Sequence, residues 1–365
     1  MPFDVGDFPG ASSSDRAASR RSRRLVGTWL FAVAGMVLVM IGLGGATRLS
    51  GSGLSIMEWA PLMGTLPPLT EAEWQRLFTL YKQIPQFALV NADFGLADFK
   101  GIFWLEWFHR FWGRALGLAF LVPFVWFWVK GQIAQRLVPR LLALFVLGGL
   151  QGVVGWFMVA SGFFPDATTV SAYRLVIHLG LALVLYGAIL WTALNVALGP
   201  PMAARAVQRT HMLTATTCGL VAITILAGGF VAGIRAGLTY NTFPLMDGQL
   251  VPAGYGDLRP FILNFTENVA AVQFNHRLLA SITAICALVT VVVGLRVSPQ
   301  LLPRPVLYAL GAAVIGQYVL GVVTLLHVVP LGLGTAHQVG AVLVLTAALV
   351  LLHTTRVPRA RGGPE

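Results

Sequence analysis

Eight apolar runs, read at 25–46, 106–129, 140–160, 172–198, 211–234, 270–295, 305–328 and 333–353, constrain this chain more than any other feature. Each approaches the length of about 20 residues that a helix needs to cross a hydrocarbon core. In that medium backbone polar groups find no water, so a helix, which satisfies them internally, is the economical spanning structure. Charged residues make up only 11% of the 365, against about 25% in soluble domains, too few to give these runs polar faces. The expected fold is all-α: a polytopic membrane protein of eight transmembrane helices, with both termini on one side.

The charges orient it. Lys130, Arg136 and Arg140 follow span two, Arg205 and Arg209 span four, Arg296 and Arg304 span six, and Arg356, Arg359 and Arg361 span eight. With Arg20, Arg21, Arg23 and Arg24 they mark the cytoplasmic side. The alternate connections carry Glu58, Glu71, Glu73, Asp93, Asp98, Asp166, Asp247, Asp257 and Glu267 and face outward. The formal net charge of +11 is therefore a topology signal, and no nucleic-acid partner is expected. Residues 1–24 and 354–365 read as cytoplasmic tails, the first disordered. Cys218 and Cys286 lie inside apolar runs and read as small buried hydrophobes rather than a disulfide. In the first outward connection, Thr70 and Glu73 form a capping-box pattern ahead of Trp74, Leu77, Phe78 and Tyr81. A short amphipathic helix is predicted there, either on the membrane surface or packed on the span ends.

The first four spans echo in the last four. Gly44 and Gly45 match Gly228 and Gly229; Gly53, Leu54 and Ser55 match Gly237, Leu238 and Thr239; Pro61 and Met63 match Pro244 and Met246. Farther on, Glu106, His109 and Arg110 match Gln273, His276 and Arg277, Gln151 and Gly155 match Gln317 and Gly321, and His178 matches His337. Four spans per repeat keep the same orientation, unlike inverted transporter repeats. Two parallel, pseudo-symmetric four-helix bundles are expected, at 25–198 and 211–353.

His109, His178, His276 and His337 each fall near the outward start of an even-numbered span, whereas His211, His327 and His353 have no repeat partners and read as structural. Polar side chains at such depth are costly and usually functional. Imidazoles from facing helices are an axial pair for a six-coordinate haem, so two bis-histidine sites would use all four; pairing within or across halves is open. A di-iron or di-copper centre wants clustered histidines or several carboxylates, and here each helix brings one histidine, with Glu106 alone beside them. A transmembrane relay would need histidines about 13 residues apart on one helix to span about 20 Å. The observed spacing favours chemistry at one, outward, depth.

Glu106 and His109 share a helix face, and Gln273 stands where Glu106 would be in the second half. A carboxylate can shuttle a proton or hold a water; an amide can only hydrogen-bond. The first half is the expected reaction site and the second a cofactor site. The alternative is that Glu106 caps the start of span two and pairs with Arg110. Arg110 and Arg277 would neutralise haem propionates or snorkel to the interface.

With Glu106, Trp107, Phe108, His109 and Arg110, then Gln273, Phe274, Asn275, His276 and Arg277, the stretch ending in His337, and the turn from Gly51 to Ser55, the chain resembles the haem A synthase family over about residues 25 to 353. The resemblance implies oxidation of the C8 methyl of haem O to a formyl group, by successive hydroxylations and loss of water, for cytochrome oxidase. It implies a resident haem b on His276 and His337, a haem O site at His109 and His178, and a need for Glu106. Partners would be the haem O synthase (protohaem farnesyltransferase) upstream, an electron donor, and the bilayer of a bacterial inner membrane, with a homo-oligomer open. Some bacterial members carry a cysteine pair in the first outer loop; here 47–105 has none, which looks more like the proteobacterial and mitochondrial branch and excludes a thiol role. Two other readings stay open: a di-haem cytochrome serving quinol-linked electron transfer, and a haem carrier or chaperone.

Overall fold

The computed structural model describes residues 13–59, 64, 66–198 and 207–356, with side chains from Arg20 onward. Arg205, Arg359, Arg361, Pro61 and Met63 lie outside the described residues. Eight of the helices are long and apolar enough to cross a membrane: α1 (Ser13–Ser50), α4 (Leu96–Val129), α5 (Val138–Ala160), α6 (Ala172–Leu198), α7 (Gln208–Gly233), α8 (Val269–Leu295), α9 (Arg304–Leu326) and α10 (Leu331–Thr354). Two short helices, α2 (Glu71–Tyr81) and α3 (Pro85–Val90), fill the first long connection. The chain is a multi-pass membrane protein.

Two helix starts correct the sequence reading. α1 begins at Ser13, so the segment expected to be disordered is helical from there to Arg24; its alanines and arginines are good helix formers, and they continue the turn of the span behind them. α4 begins at Leu96 rather than at 106, because the Asp98 side chain accepts a hydrogen bond from Gly95 N–H (3.0 Å) and closes the first turn. Glu106 consequently stands well inside α4, and the capping alternative for it falls away.

In the first half α1 packs on α4 and α6, with α5 between those two; in the second α7 packs on α8 and α10, with α9 between them. The halves meet along α1 with α10 and α6 with α7. The shared core includes Leu30, Leu141, Ala193, Leu310, Val342 and Ala348, all fully buried. Facing away from it, Val122, Trp126, Val146, Val184, Ile285 and Val319 are exposed. A contiguous apolar surface of this kind would aggregate in water and is solvated by lipid chains.

The capping box of α2 forms as read, with Glu73 N–H donating to Thr70 Oγ1 (3.2 Å) and Thr70 N–H to Glu73 Oε2 (3.4 Å). Its apolar face packs on protein rather than lipid: Trp74 lies 4.8 Å from Phe103, and Phe78 and Tyr81 each lie 5.3 Å from Phe99, ring centre to ring centre. The ten-residue extension of α4 supplies that platform. In the second half a 3-10 turn at Phe261–Phe265, rather than an α-helix, precedes α8, so an α-helical aromatic cap of this kind is found in the first half among the described residues.

Candidate functional site

His178, His276 and His337 lie about two turns into α6, α8 and α10, while His109 lies deeper along α4 only because of the extension. Each packs its Cε1 edge against a glycine of the preceding span. A Cβ built at Gly44 on α1 would sit 3.3 Å from Cε1 of His109; at Gly155 on α5, 2.9 Å from that of His178. At Gly228 on α7 it would sit 3.0 Å from His276, and at Gly321 on α9, 2.7 Å from His337. These glycines, legible only as repeat markers, let the rings approach bare backbone, most closely at Gly155 and Gly321, where an added Cβ would lie under 3.0 Å from the ring.

Two glutamines complete the walls. Gln151 Nε2 donates to the His178 carbonyl (2.9 Å) and lies 3.4 Å from its ring nitrogen Nε2. Gln317 Nε2 donates to the His337 carbonyl (2.8 Å) and lies 3.0 Å from Nδ1. Each glutamine stands one helical turn before its glycine, on the same face, a spacing that marks them as site residues once the rings are in view.

The structure brings His276 and His337 together within the second half, with ring centroids 6.5 Å apart and planes at 87°. Two imidazoles sharing one metal ion at about 2 Å from each nitrogen place their centroids roughly 6 Å apart, so this pair is spaced to hold an axially ligated iron. In the first half His109 on α4 faces Gly44 and His178 on α6 faces Gly155. Nδ1 of His109, His178 and His276 is buried with no hydrogen-bond partner, a state that a polar ligand in the bundle interior would relieve. Among the described residues no three His, Cys, Asp or Glu side chains gather as a metal-ligand cluster. The donor set is pairs of imidazoles, which suits haem iron, whose equatorial positions are already filled. The remaining histidines make local contacts: His211 with Thr355, His327 with the Val323 carbonyl, and His353 with Arg356.

Arg110 and Arg277 make the same contacts in both halves. Arg110 donates from Nε to Glu106 Oε1 (2.7 Å), from Nη1 to Glu58 O (2.9 Å) and from Nη2 to Ile56 O (2.6 Å). Arg277 donates from Nη2 to Gln273 Oε1 (3.1 Å) and Tyr240 O (2.5 Å) and from Nη1 to Thr242 O (2.9 Å). Both guanidinium groups therefore fasten the chain after the first span of each half, instead of reaching freely to the interface.

The Glu106 and Gln273 difference is chemical as well as nominal. Gln273 is 2% exposed, and its amide donates to the carbonyls of Ala236 (2.9 Å) and Thr239 (2.6 Å). Glu106 is 4% exposed and has Arg110 as its ion-pair partner. Sequence reasoning did not single out Trp156, which follows Gly155, stacks on Trp59 at 5.6 Å, and lies beneath Arg110 at 5.8 Å; nothing in the repeat pointed to it.

Eight spans with two histidines in each half, set toward one end of the bundle, define a multi-pass membrane protein whose imidazole donors would suit haem iron. Comparison with known proteins narrows this. Residues 27–349 match the family model described as "Cytochrome oxidase assembly protein". The chain is 58% identical over 337 residues to "Heme A synthase" of Granulibacter bethesdensis, covering 92% of this chain and 89% of that protein. It is 48% identical to "Heme A synthase" of Rhodospirillum centenum (96% and 92% covered) and 46% identical to "Heme A synthase 2" of Acidiphilium cryptum (93% and 94%). The chain belongs to the haem A synthase family.

Proposed function

We propose that the chain is an oxidoreductase that converts haem O to haem A, taking the C8 methyl through hydroxymethyl and geminal diol to the formyl group with loss of water. The observation that carries this reading is its 58% identity, over most of both chains, to a protein named for that reaction. The electron partner and the oxygen source act from outside the chain.

In this reading His276 and His337 hold a resident haem b, and His109 and His178 receive the substrate haem. The 6.5 Å spacing of the second-half rings supports the first assignment, and the carboxylate unique to the first half supports the second. The resident haem supplies one-electron chemistry when bound. The chain's own residues do the rest: the glycine walls bring ring edges against bare backbone, and the aromatic cap on α4 shields the first half from water. Glu106, buried and fixed by Arg110, accepts or returns a proton beside the substrate. N–H groups of Arg110 and Arg277 not bonded to loop carbonyls, Nε of Arg277 among them, would bind haem propionates.

Both termini lie in the cytoplasm and the histidines open to the far side of a bacterial inner membrane; the arginines at one end of the helices support this orientation. The haem O synthase upstream and cytochrome oxidase downstream are the functional neighbours. Extraction and mass analysis of haems from the purified protein, prepared with and without haem O, tests the proposal. Haem b with hydroxylated haem O or haem A is the expected result; haem b alone in the presence of haem O would instead make the chain an electron-transfer cytochrome.

A further inference from the structure

The four histidines are not held equally. His178 and His337 are each gripped twice, by a glycine whose Cβ would clash at 2.9 or 2.7 Å and by a glutamine amide bonded to the same histidine's carbonyl. His276 has the glycine contact, at 3.0 Å, without a glutamine beside it, and His109 has the loosest, at 3.3 Å. Nδ1 of both rings, like that of His178, is buried with no hydrogen-bond partner. A Cβ contact of 3.3 Å can be absorbed by a ring shift of a few tenths of an ångström; one of 2.7 Å against a doubly held ring cannot.

We infer that Gln151 with Gly155, and Gln317 with Gly321, are positioning cradles that fix one ligand of each haem, and that His109 is the ligand that yields when the substrate haem enters and leaves. The inference rests on the assignment of the two pairs as haem ligands. A substrate site needs one side that opens while the other keeps the macrocycle in register, and a resident site does not. The differing grips on His109 and His276 follow that division. The glutamine acts through the histidine's main chain and ring edge, as outer-shell groups do for metal-bound imidazoles.

The full-length protein in nanodiscs carries the test, with Gly155→Ala, Gly321→Ala and Gly44→Ala set against Gly152→Ala and Gly316→Ala. The last two glycines share helices with the cradles but have nothing within 4 Å of a built Cβ. All five changes raise helix propensity. Gly321→Ala is expected to convert the resident haem from a low-spin six-coordinate to a high-spin five-coordinate optical and EPR spectrum. Gly155→Ala should leave that spectrum alone and weaken haem O binding by about tenfold or more, whereas Gly44→Ala should change binding less than about threefold, as a contact that a small ring shift can absorb. Should a cradle glycine variant fail to accumulate, Gln317→Leu and Gln151→Leu decide the matter through faster haem dissociation from the corresponding site. Cradle variants that behave like the two controls, or equal losses from Gly44→Ala and Gly155→Ala, would overturn the inference. A wild-type protein without low-spin haem would instead overturn the functional reading beneath it.

Discussion

Replacing Glu106 by Gln removes one charge from a position that the second half has already filled with Gln273. The side chains are equal in size, and Arg277 shows that a guanidinium meets the amide oxygen there at 3.1 Å while keeping its two loop carbonyls. The substitution exchanges a 2.7 Å ion pair for a bond from the same guanidinium to a neutral acceptor, at a cost of about 1 kcal/mol. The fold and haem content should therefore hold. Loss of a positioned acid–base group lowers turnover by about 10²- to 10⁴-fold, read as haem A formed per protein with haem occupancy measured on the same sample. The reverse change, Gln273→Glu, is not symmetric. It would set a carboxylate oxygen against the carbonyls of Ala236 and Thr239, which now accept at 2.9 and 2.6 Å, a buried mismatch costing about 2–3 kcal/mol. Unimpaired turnover in Glu106→Gln would refute the assigned role, and equal stability of the two variants would refute the reasoning on hydrogen-bond polarity.

Other substitutions probe the frame around the site. Arg110→Lys keeps the charge but loses the fork that holds Ile56 and Glu58; the loop should become protease-sensitive and activity should fall at least about tenfold, a loss of more than 1.4 kcal/mol. Trp74→Ala should destabilise the aromatic cap by about 3 kcal/mol, seen as faster proteolysis of the first loop with the second-half haem spectrum unchanged. The Arg76 hydrogen bond holds the Glu58 carboxyl below its ordinary range. A depressed folded value means that this contribution is present at neutral pH and lost as pH falls below about 4. With both side chains about half exposed, the loss should be only about 0.5 kcal/mol, and Glu58→Gln should abolish that acid step in a thermal melt; a larger step would show that the pair does more than a surface bridge.

The spans were legible because lipid imposes length and hydrophobicity directly on sequence, and the order of histidines because duplication wrote it twice. The beginning of α4 was not. Residues 96 to 105 contain Asp98 and Lys100 and fail a hydropathy criterion, yet they are helical because Asp98 caps them and Phe99 and Phe103 bury against α2, a tertiary contact invisible to any local window. The glycines opposite the histidines were visible as conserved spacing between the halves, but a glycine in an apolar helix looks the same whether it faces lipid or an imidazole. The loop contacts of the arginines were hidden for a related reason: their acceptors are carbonyls of a distant loop, and backbone acceptors leave no signature in sequence.

The two halves meet close to these histidines. Next to His337, Gln338 donates from Nε2 to the Ile41 carbonyl of α1 (2.9 Å) and packs on Gly45. One residue before Gly45 is Gly44, the wall behind His109, so one short run of α1 contacts both the helix that carries His337 and the ring of His109. At the matching place Leu179, beside His178, packs on Gly229, 3.2 Å from its built Cβ, which shows that leucine fits this position between helices. Gln338→Leu should therefore fold, losing one hydrogen bond worth about 1 kcal/mol while keeping the packing. If α1 transmits the position of one site to the other, haem O affinity at His109 should change by up to about fivefold, through a residue that touches neither first-half ligand. A titration with haem O showing wild-type affinity, alongside an unchanged resident-haem spectrum, would show that the two sites are neighbours without being coupled.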